Sequence, residues 1–175
     1  MDVTVRLCTS LEELPDGFAP ISHYFGGARL TAEELERVRH VFDYRRTMVA
    51  HSAGELVGGC GAHAYELTVQ GGVVAAAGVT IVGVQPTHRR RGVLRAMMKA
   101  QLEQVHAWRE PVAFLWAAEE TIYGRVGYGM AALCGDIELP KAECRMARSF
   151  TPRGQARFLS EEEARIAIPA LYDRI

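Results

Sequence analysis

The run Ala77-Gly78-Val79-Thr80-Ile81-Val82-Gly83-Val84-Gln85-Pro86-Thr87-His88-Arg89-Arg90-Arg91-Gly92-Val93-Leu94-Arg95 reads as a buried strand, a basic turn and the opening of a helix. Gly78 to Val84 is apolar on both faces, as for a strand inside a sheet. Pro86 ends the ladder because it has no N–H to donate. From about Gly92 the apolar residues Leu94, Met97, Met98, Leu102 and Val105 fall on one helical face, with Arg95, Lys99 and Glu103 on the other. Physically this join is an anion cradle. The first N–H groups of a helix have no partner within the helix, and the helix dipole favours negative charge there. Gly92 removes a side chain where an anion must approach the backbone, and neighbouring arginines add charge-assisted hydrogen bonds. Spacing alone weighs the cradle about equally with a plain strand-to-helix connection carrying solvated arginines.

Outward from this run, Leu56 to Val69 is a long strand whose glycines point to bulges, and Gln70-Gly71-Gly72 turns it back into Val73 to Val84. Thr47 to His51 is a further strand, set off by the turn Ser52-Ala53-Gly54-Glu55. Before it, Thr31 with Glu34 three residues on caps a helix through Leu35, Val38, Val41 and Phe42. Residues 10–30, punctuated by Pro15, Gly17, Pro20, Gly26 and Gly27, read as irregular. Downstream, Pro111 to Ala117 is a buried strand, Glu119 to Tyr123 a short helix, Gly124 to Gly129 a loop, and Met130 to Leu139 a last strand. The order is strand-strand-strand, helix, strand, helix, strand: a mixed α/β fold, with a crossover at 84–112 long enough to join parallel strands.

Composition bounds the function. A chain of 175 residues suits one compact domain with a piece of something else, and its 49% apolar content supports a core without disulfides or metal. A net charge of −1 gives no bulk reason for nucleic acid or a membrane surface as partner. No apolar run is long enough to span a bilayer, and Met1 to Arg6 lacks the order of a signal peptide. Cys8, Cys60, Cys134 and Cys144 have no zinc spacing and read as reduced thiols of a cytoplasmic protein. The Walker A and GxGxxG patterns are absent. The basic run is a poor nucleic-acid patch, being held between a buried strand and an amphipathic helix.

Arg89-Arg90-Arg91-Gly92-Val93-Leu94 resembles the [Q/R]-x-x-G-x-[G/A] pyrophosphate signature of the GNAT superfamily, with Leu94 where Gly or Ala is usual. The longer run Ala77 to Arg95 and the run Ile122-Tyr123-Gly124-Arg125-Val126-Gly127-Tyr128-Gly129 closely resemble the Eis (enhanced intracellular survival) family of aminoglycoside and lysine N-acetyltransferases. Similarity covers about residues 15–140. The resemblance implies a GNAT fold, with a mixed, largely antiparallel sheet whose parallel central strands splay at the acetyl-CoA site. It also implies acetyl-CoA as cosubstrate, no metal, and a primary amine on a small polycation or a lysine as acceptor. By the same resemblance Val82, Gly83 and Val84 bond the pantetheine arm, Arg89, Arg90, Arg91, Gly92, Val93, Leu94 and Arg95 hold the pyrophosphate, and Ala118 and Glu119 face the cofactor. Ala118 stands where a Ser is expected in relatives. The resemblance also implies Tyr123 as the general acid, where position alone would equally allow a core aromatic, and Tyr128 reads as structural.

The family continues into a second GNAT-like domain and a sterol-carrier-like domain, and it assembles into homo-oligomers. Residues 1–140 are therefore expected to form the acetyltransferase domain, and 141–175 a linker and the start of an incomplete second unit. In the family the chain's terminal carboxylate is the general base; that role is not transferred to Ile175. His63, His88, Glu119 and Glu120 stand as alternative bases, Trp116 as a wall of the acceptor pocket, and Asp16, Phe18 and Phe25 as residues shaping acceptor specificity. In the tail, Ser160 and Glu163 cap a helix that Pro169 is expected to divide, with Ala164, Ile166, Ile168, Leu171 and Tyr172 as apolar surface. A non-catalytic acyl-CoA-binding module and a nucleic-acid-binding domain using the arginine run remain as other readings.

Overall fold

The computed structural model describes residues 2–133, 135–145, 148, 149, 151 and 153–174. Cys134 and Ile175 lie outside that description, as does the side chain of Glu120. Contacts divide the chain into two compact units, residues 1–131 and 132–175.

The first unit is built on five strands: β1 (Val3–Leu7), β2 (Thr47–Ser52), β3 (Glu55–Val69), β4 (Gly72–Val84) and β5 (Val112–Leu115). They lie in the order β1-β2-β3-β4-β5. All neighbours are antiparallel except β4 and β5, which run parallel. The parallel pair is joined through helix α3 (Val93–Ala107), as the length of that crossover requires. Two more helices precede the central strands, α1 (Leu14–Tyr24) and α2 (Ala32–Val38). A four-residue helix α4 (Glu120–Tyr123) follows β5.

Successive residues of a strand point to opposite faces of its sheet. A Cβ on Gly58 would meet Val93 and Met97 of α3, and a Cβ on Gly59 would collide with the backbone of Gly17 in α1. The two helices therefore cover opposite faces. On the α3 side Met48, Ala50, Val57, Cys60, Val93, Met97 and Met98 form one buried cluster. Ala62, Ala77, Val79 and Val105 form another. On the α1 side the approach is backbone to backbone: Gly17 faces Gly59, and a Cβ on Gly83 would meet Pro20 and Ile21. Only glycine at these positions lets α1 seat so low on β3 and β4.

That seating corrects the reading of residues 10–30 as irregular. Pro15 stands at the N-terminal end of α1, where its missing N–H costs nothing, and Pro20 is buried within it. The glycine and proline that look like loop punctuation are packing residues. Strand β1 was not singled out in the sequence; it pairs with β2 from Val3↔Ser52 to Leu7↔Met48. The Thr31–Glu34 capping box is present, but α2 ends at Val38. Val41 and Phe42 lie beyond it, both accepted by the Val38 carbonyl at 2.9 Å.

Two other expectations fail downstream. The strand expected over 111–117 is shorter, Val112–Leu115, and is not fully buried. Among the described residues it is the edge of the sheet, with a neighbour on the β4 side only. Met130 to Leu139 forms no strand among the described residues, and Met130, Leu133, Ile137 and Leu139 are exposed. Apolar content there does not make a strand, because a strand needs a neighbour to take its N–H and C=O groups.

In the second unit, α5 (Glu161–Tyr172) carries the Ser160–Glu163 capping box. It runs through Pro169 as one helix instead of dividing there. The proline removes one hydrogen bond to the carbonyl of Arg165, an exposed residue open to water. Ile166, Ile168, Leu171 and Tyr172 are exposed on this helix.

Candidate active site

The site grows from a mismatch in strand length. β5 pairs with β4 only from Ala76↔Val112 to Val79↔Leu115, while β4 continues to Val84. On that side the last residues of β4 keep their backbone groups unpaired by a strand. On the other side the β3–β4 ladder shifts register between Gly59 and Gly61, from Gly59↔Gly83 to Gly61↔Thr80. Ile81 and Val82 thus both lie opposite Cys60, which makes a bulge in β4. Ile81 sits there at φ +49°, a left-handed conformation that a β-branched residue adopts only under constraint.

Beyond β4, Gln85 donates its N–H to Val57 at 2.9 Å, and the chain turns through Pro86–His88 toward α3. Gly92 caps α3 at φ +86°, the conformation its lack of a side chain permits. The first intrahelical bond is Ala96 N–H to the Gly92 carbonyl at 3.0 Å, so Val93, Leu94 and Arg95 present free N–H groups at the helix start. No acidic residue stands in this first turn.

An open cavity of about 590 Å³ joins these parts. Its lining includes Val82, Gly83 and Val84 from β4, and Arg89, Arg90, Gly92, Val93, Leu94 and Arg95 from the turn and α3. Ala118, Glu119 and Tyr123 close it from the far side. Of the residues singled out in the sequence for holding the cofactor, Arg91 alone does not line it. Arg91 lies between Arg90 (φ +59°) and Gly92 (φ +86°) and is exposed outside the cavity. Ile21, Tyr24, Ile122, Arg125 and Val126 also line it and were not singled out. Their apolar and basic character gave no local signal; the C-terminal end of α1 and the turn after α4 reach the cavity only through tertiary packing.

Tyr123 is half-buried and packs against the core cluster that contains Cys60. Burial raises its pKa, and the nearby Cys60 and Glu119 raise it further. Its ring meets Tyr128 edge to face at 5.9 Å. Tyr128 is pushed up to about 12 by burial, then by Tyr123 and Cys60. Its hydroxyl is buried and has no hydrogen-bond partner among the described residues. Cys60 itself is fully buried in the core cluster, and burial pushes its thiol up to about 12.

Of the alternative bases, His88 and Glu119 line the cavity and His63 does not. His63 belongs to a row of aromatic rings, 4.5 Å from Phe42 and 6.0 Å from Tyr65. Burial lowers its pKa, and the Arg46 charge lowers it again. Phe25 lines the cavity and is exposed, whereas Phe18 meets Phe42 edge to face at 4.7 Å and Asp16 pairs with Arg29 at 2.6 Å. Trp116 is exposed and outside the lining. Among the described residues no group of three or more His, Cys, Asp or Glu is placed to hold a metal ion. No helix among them is long and apolar enough to cross a membrane.

An unpaired strand edge, a helix start rich in free N–H donors and arginine, and the half-buried phenol of Tyr123 thus meet on one cavity. The family described as Acetyltransferase (GNAT) domain matches residues 5–131, and the chain belongs to that family. GNAT acetyltransferases use acetyl-CoA as cosubstrate. An uncharacterised N-acetyltransferase of Streptomyces coelicolor is 39% identical over 170 residues, covering 94% of this chain and 41% of that protein. The N-acetyltransferase Eis of Mycobacterium tuberculosis is 38% identical over 113 residues, covering 62% of this chain and 28% of its own length. The crystal structure of Eis1 from Mycobacterium abscessus superposes with a TM-score of 0.64 at 36% identity, over 74% of this chain and 32% of that one. The chain thus spans well under half the length of these relatives.

Proposed function

We propose that this chain is the acetyl-CoA-binding, catalytic domain of an Eis-like N-acetyltransferase, acting on a primary amine of an aminoglycoside-like polyamine or of a lysine. The observation that carries the reading is the convergence on one cavity of the open β4 edge, the α3 N-terminus and Tyr123. The residues present fit acetyl-CoA. Free N–H groups of Val93 to Arg95, with Arg89, Arg90, Arg95 and Arg125 around them, suit a pyrophosphate. Val82 to Val84 offer strand-edge groups to the amides of a pantetheine arm. The catalytic domain is assigned to residues 1–140, with 141–175 as a linker and the start of a further unit, and the protein to the cytoplasm.

Acetyl-CoA would supply the activated acetyl group as a thioester. The chain's own contributions are positional and protonic. The Tyr123 hydroxyl, whose pKa burial raises, is protonated at neutral pH and is the group in this cavity that can give a proton to the leaving thiolate as the C–S bond breaks. The bulge at Ile81 and Val82 breaks the regular ladder where a backbone N–H is needed to stabilise negative charge on the carbonyl oxygen. Glu119 places a carboxylate in the same cavity as Tyr123, which favours a cationic acceptor.

The test is release of free thiol from acetyl-CoA on addition of a panel of polyamines, aminoglycosides and lysine peptides. Amine-dependent release that is lost in Tyr123→Phe is expected. Tight CoA binding with no release on any amine would reduce the chain to an acyl-CoA-binding module.

A further inference from the structure

Tyr24 is the last residue of α1 and has no role in the function just described beyond lining the cavity. It touches both other lips of that cavity. The Arg89 guanidinium lies over its ring, 5.1 Å from the centroid. Its hydroxyl donates to Glu119 Oε1 at 3.4 Å, at the start of α4. Phe25 meets the Tyr24 ring edge to face at 5.0 Å, which limits its rotation. Tyr24 is 46% exposed, so neither core packing nor burial accounts for the arrangement.

The physics of the pair is specific to arginine. A guanidinium stacked by its face on an aromatic ring keeps the N–H donors of its edge free for a forked bond to an oxyanion. Left unsupported, an exposed arginine spreads over many rotamers, and ordering it opposes binding. Arg89 lies in extended backbone just before the left-handed Arg90 and Gly92, on a turn that does not itself fix side-chain direction.

We propose that Tyr24 is a positioning residue for the cofactor's pyrophosphate. Its ring holds the Arg89 guanidinium over the cavity, and its bond to Glu119 ties that arrangement to the start of α4. The inference rests on the reading of this cavity as the acetyl-CoA site, and it names the residue that prepares one cation of that site.

The test is a double-mutant cycle on binding of CoA, read by calorimetry with the full chain. Tyr24→Leu is expected to weaken CoA about three- to tenfold, the worth of one cation–π contact and the ordering it supplies. Arg89→Ala weakens it at least as much. In the Arg89→Ala background, Tyr24→Leu has no further effect, because there is no guanidinium left to place. Tyr24→Phe keeps the ring and recovers most of the lost affinity, a rescue that a general folding defect would not show. Equal losses from Tyr24→Leu with and without Arg89 overturn the proposal, as does unchanged or tighter binding in Tyr24→Leu. A wild-type protein that does not bind CoA overturns the acetyl-CoA reading and this inference with it, whereas CoA binding with an additive cycle overturns the inference alone.

Discussion

Tyr123 and Tyr128 are locked to each other twice: their rings meet edge to face at 5.9 Å, and the Tyr128 N–H closes the intervening turn on the Tyr123 carbonyl at 3.2 Å. Gly127, at φ +97°, makes that turn possible. Of the two, Tyr123 lines the cavity, while the Tyr128 hydroxyl is buried without a partner among the described residues. The two residues therefore separate by mutation. Tyr123→Phe is expected to slow turnover by roughly 10²–10⁴-fold with CoA affinity near normal, the usual range for a general acid. Tyr128→Phe removes an unsatisfied buried group and is expected to leave melting temperature and turnover unchanged or slightly raised. Steady-state rates and calorimetric CoA titrations on both variants check this, and the opposite ranking would exchange their roles.

The direction of the Tyr123 shift sets a pH dependence. A general acid works while protonated, so a raised pKa carries activity to higher pH than a free phenol, whose pKa is about 10, allows. Rates at saturating acetyl-CoA are expected to hold or rise up to that pH, with no descending limb in the neutral range. A descent below pH 8 that vanishes in Tyr123→Phe would show the pKa is lowered, against the burial of the ring.

Gly92 separates binding from folding. A Cβ there would meet nothing within 4 Å, so a larger residue meets only the strain of φ +86°, about 1–2 kcal/mol. Acetyl-CoA at 100 times its dissociation constant is expected to stabilise the wild type by about 2.7 kcal/mol, seen as a raised melting temperature. Gly92→Glu is expected to fold and to lose that ligand shift, through charge repulsion and loss of backbone approach. A full shift in the variant would place the cofactor elsewhere.

His63 makes stability depend on pH in the weakly acidic range. Its folded pKa is lowered by burial and by Arg46, so the unfolded chain binds the proton more readily. The favourable contribution is complete above the unfolded value of about 6.5 and is lost as pH falls through the lower folded pKa. Melting temperature is expected to drop between pH 7 and pH 5. His63→Phe, which keeps a ring beside Phe42 and Tyr65, should flatten part of that slope; an unchanged slope would remove His63 from the explanation.

Arg46 Nη2 donates to both carboxylate oxygens of Glu110, at 2.8 and 2.7 Å, with side chains only 14% and 7% exposed. Arg46 also donates to the Ala62 carbonyl at 3.1 Å and lies over the Trp108 ring at 3.8 Å. Removing one member leaves a charge without its partner. Glu110→Ala is expected to cost about 3–5 kcal/mol in urea unfolding, and the double change Arg46→Met with Glu110→Leu to recover much of it. A loss well under 1 kcal/mol for Glu110→Ala would mean that water already screens the pair.

The sequence by itself determined the centre of this protein. The two-sided apolar run Gly78 to Val84, the stop at Pro86 and the one-sided helix from Gly92 are local patterns, and each is found in the structure as β4, the turn and α3. The capping boxes at Thr31 and Ser160 were legible because their geometry involves neighbours in sequence. Tertiary structure decided the rest. Gly17 and Pro20 look like loop residues until Gly59 and Gly83 are seen beneath them, and then they mark a helix packed at the closest approach two backbones allow. Met130 to Leu139 has the composition of a strand, but composition cannot supply a neighbouring strand for its hydrogen bonds. Tyr24 and Arg125 join the cavity from distant chain positions, and the open β4 edge exists only because β5 stops pairing at Leu115. Periodicity reports which face of an element is apolar; which elements meet, and where a sheet opens, depends on long-range packing that no short window of sequence contains.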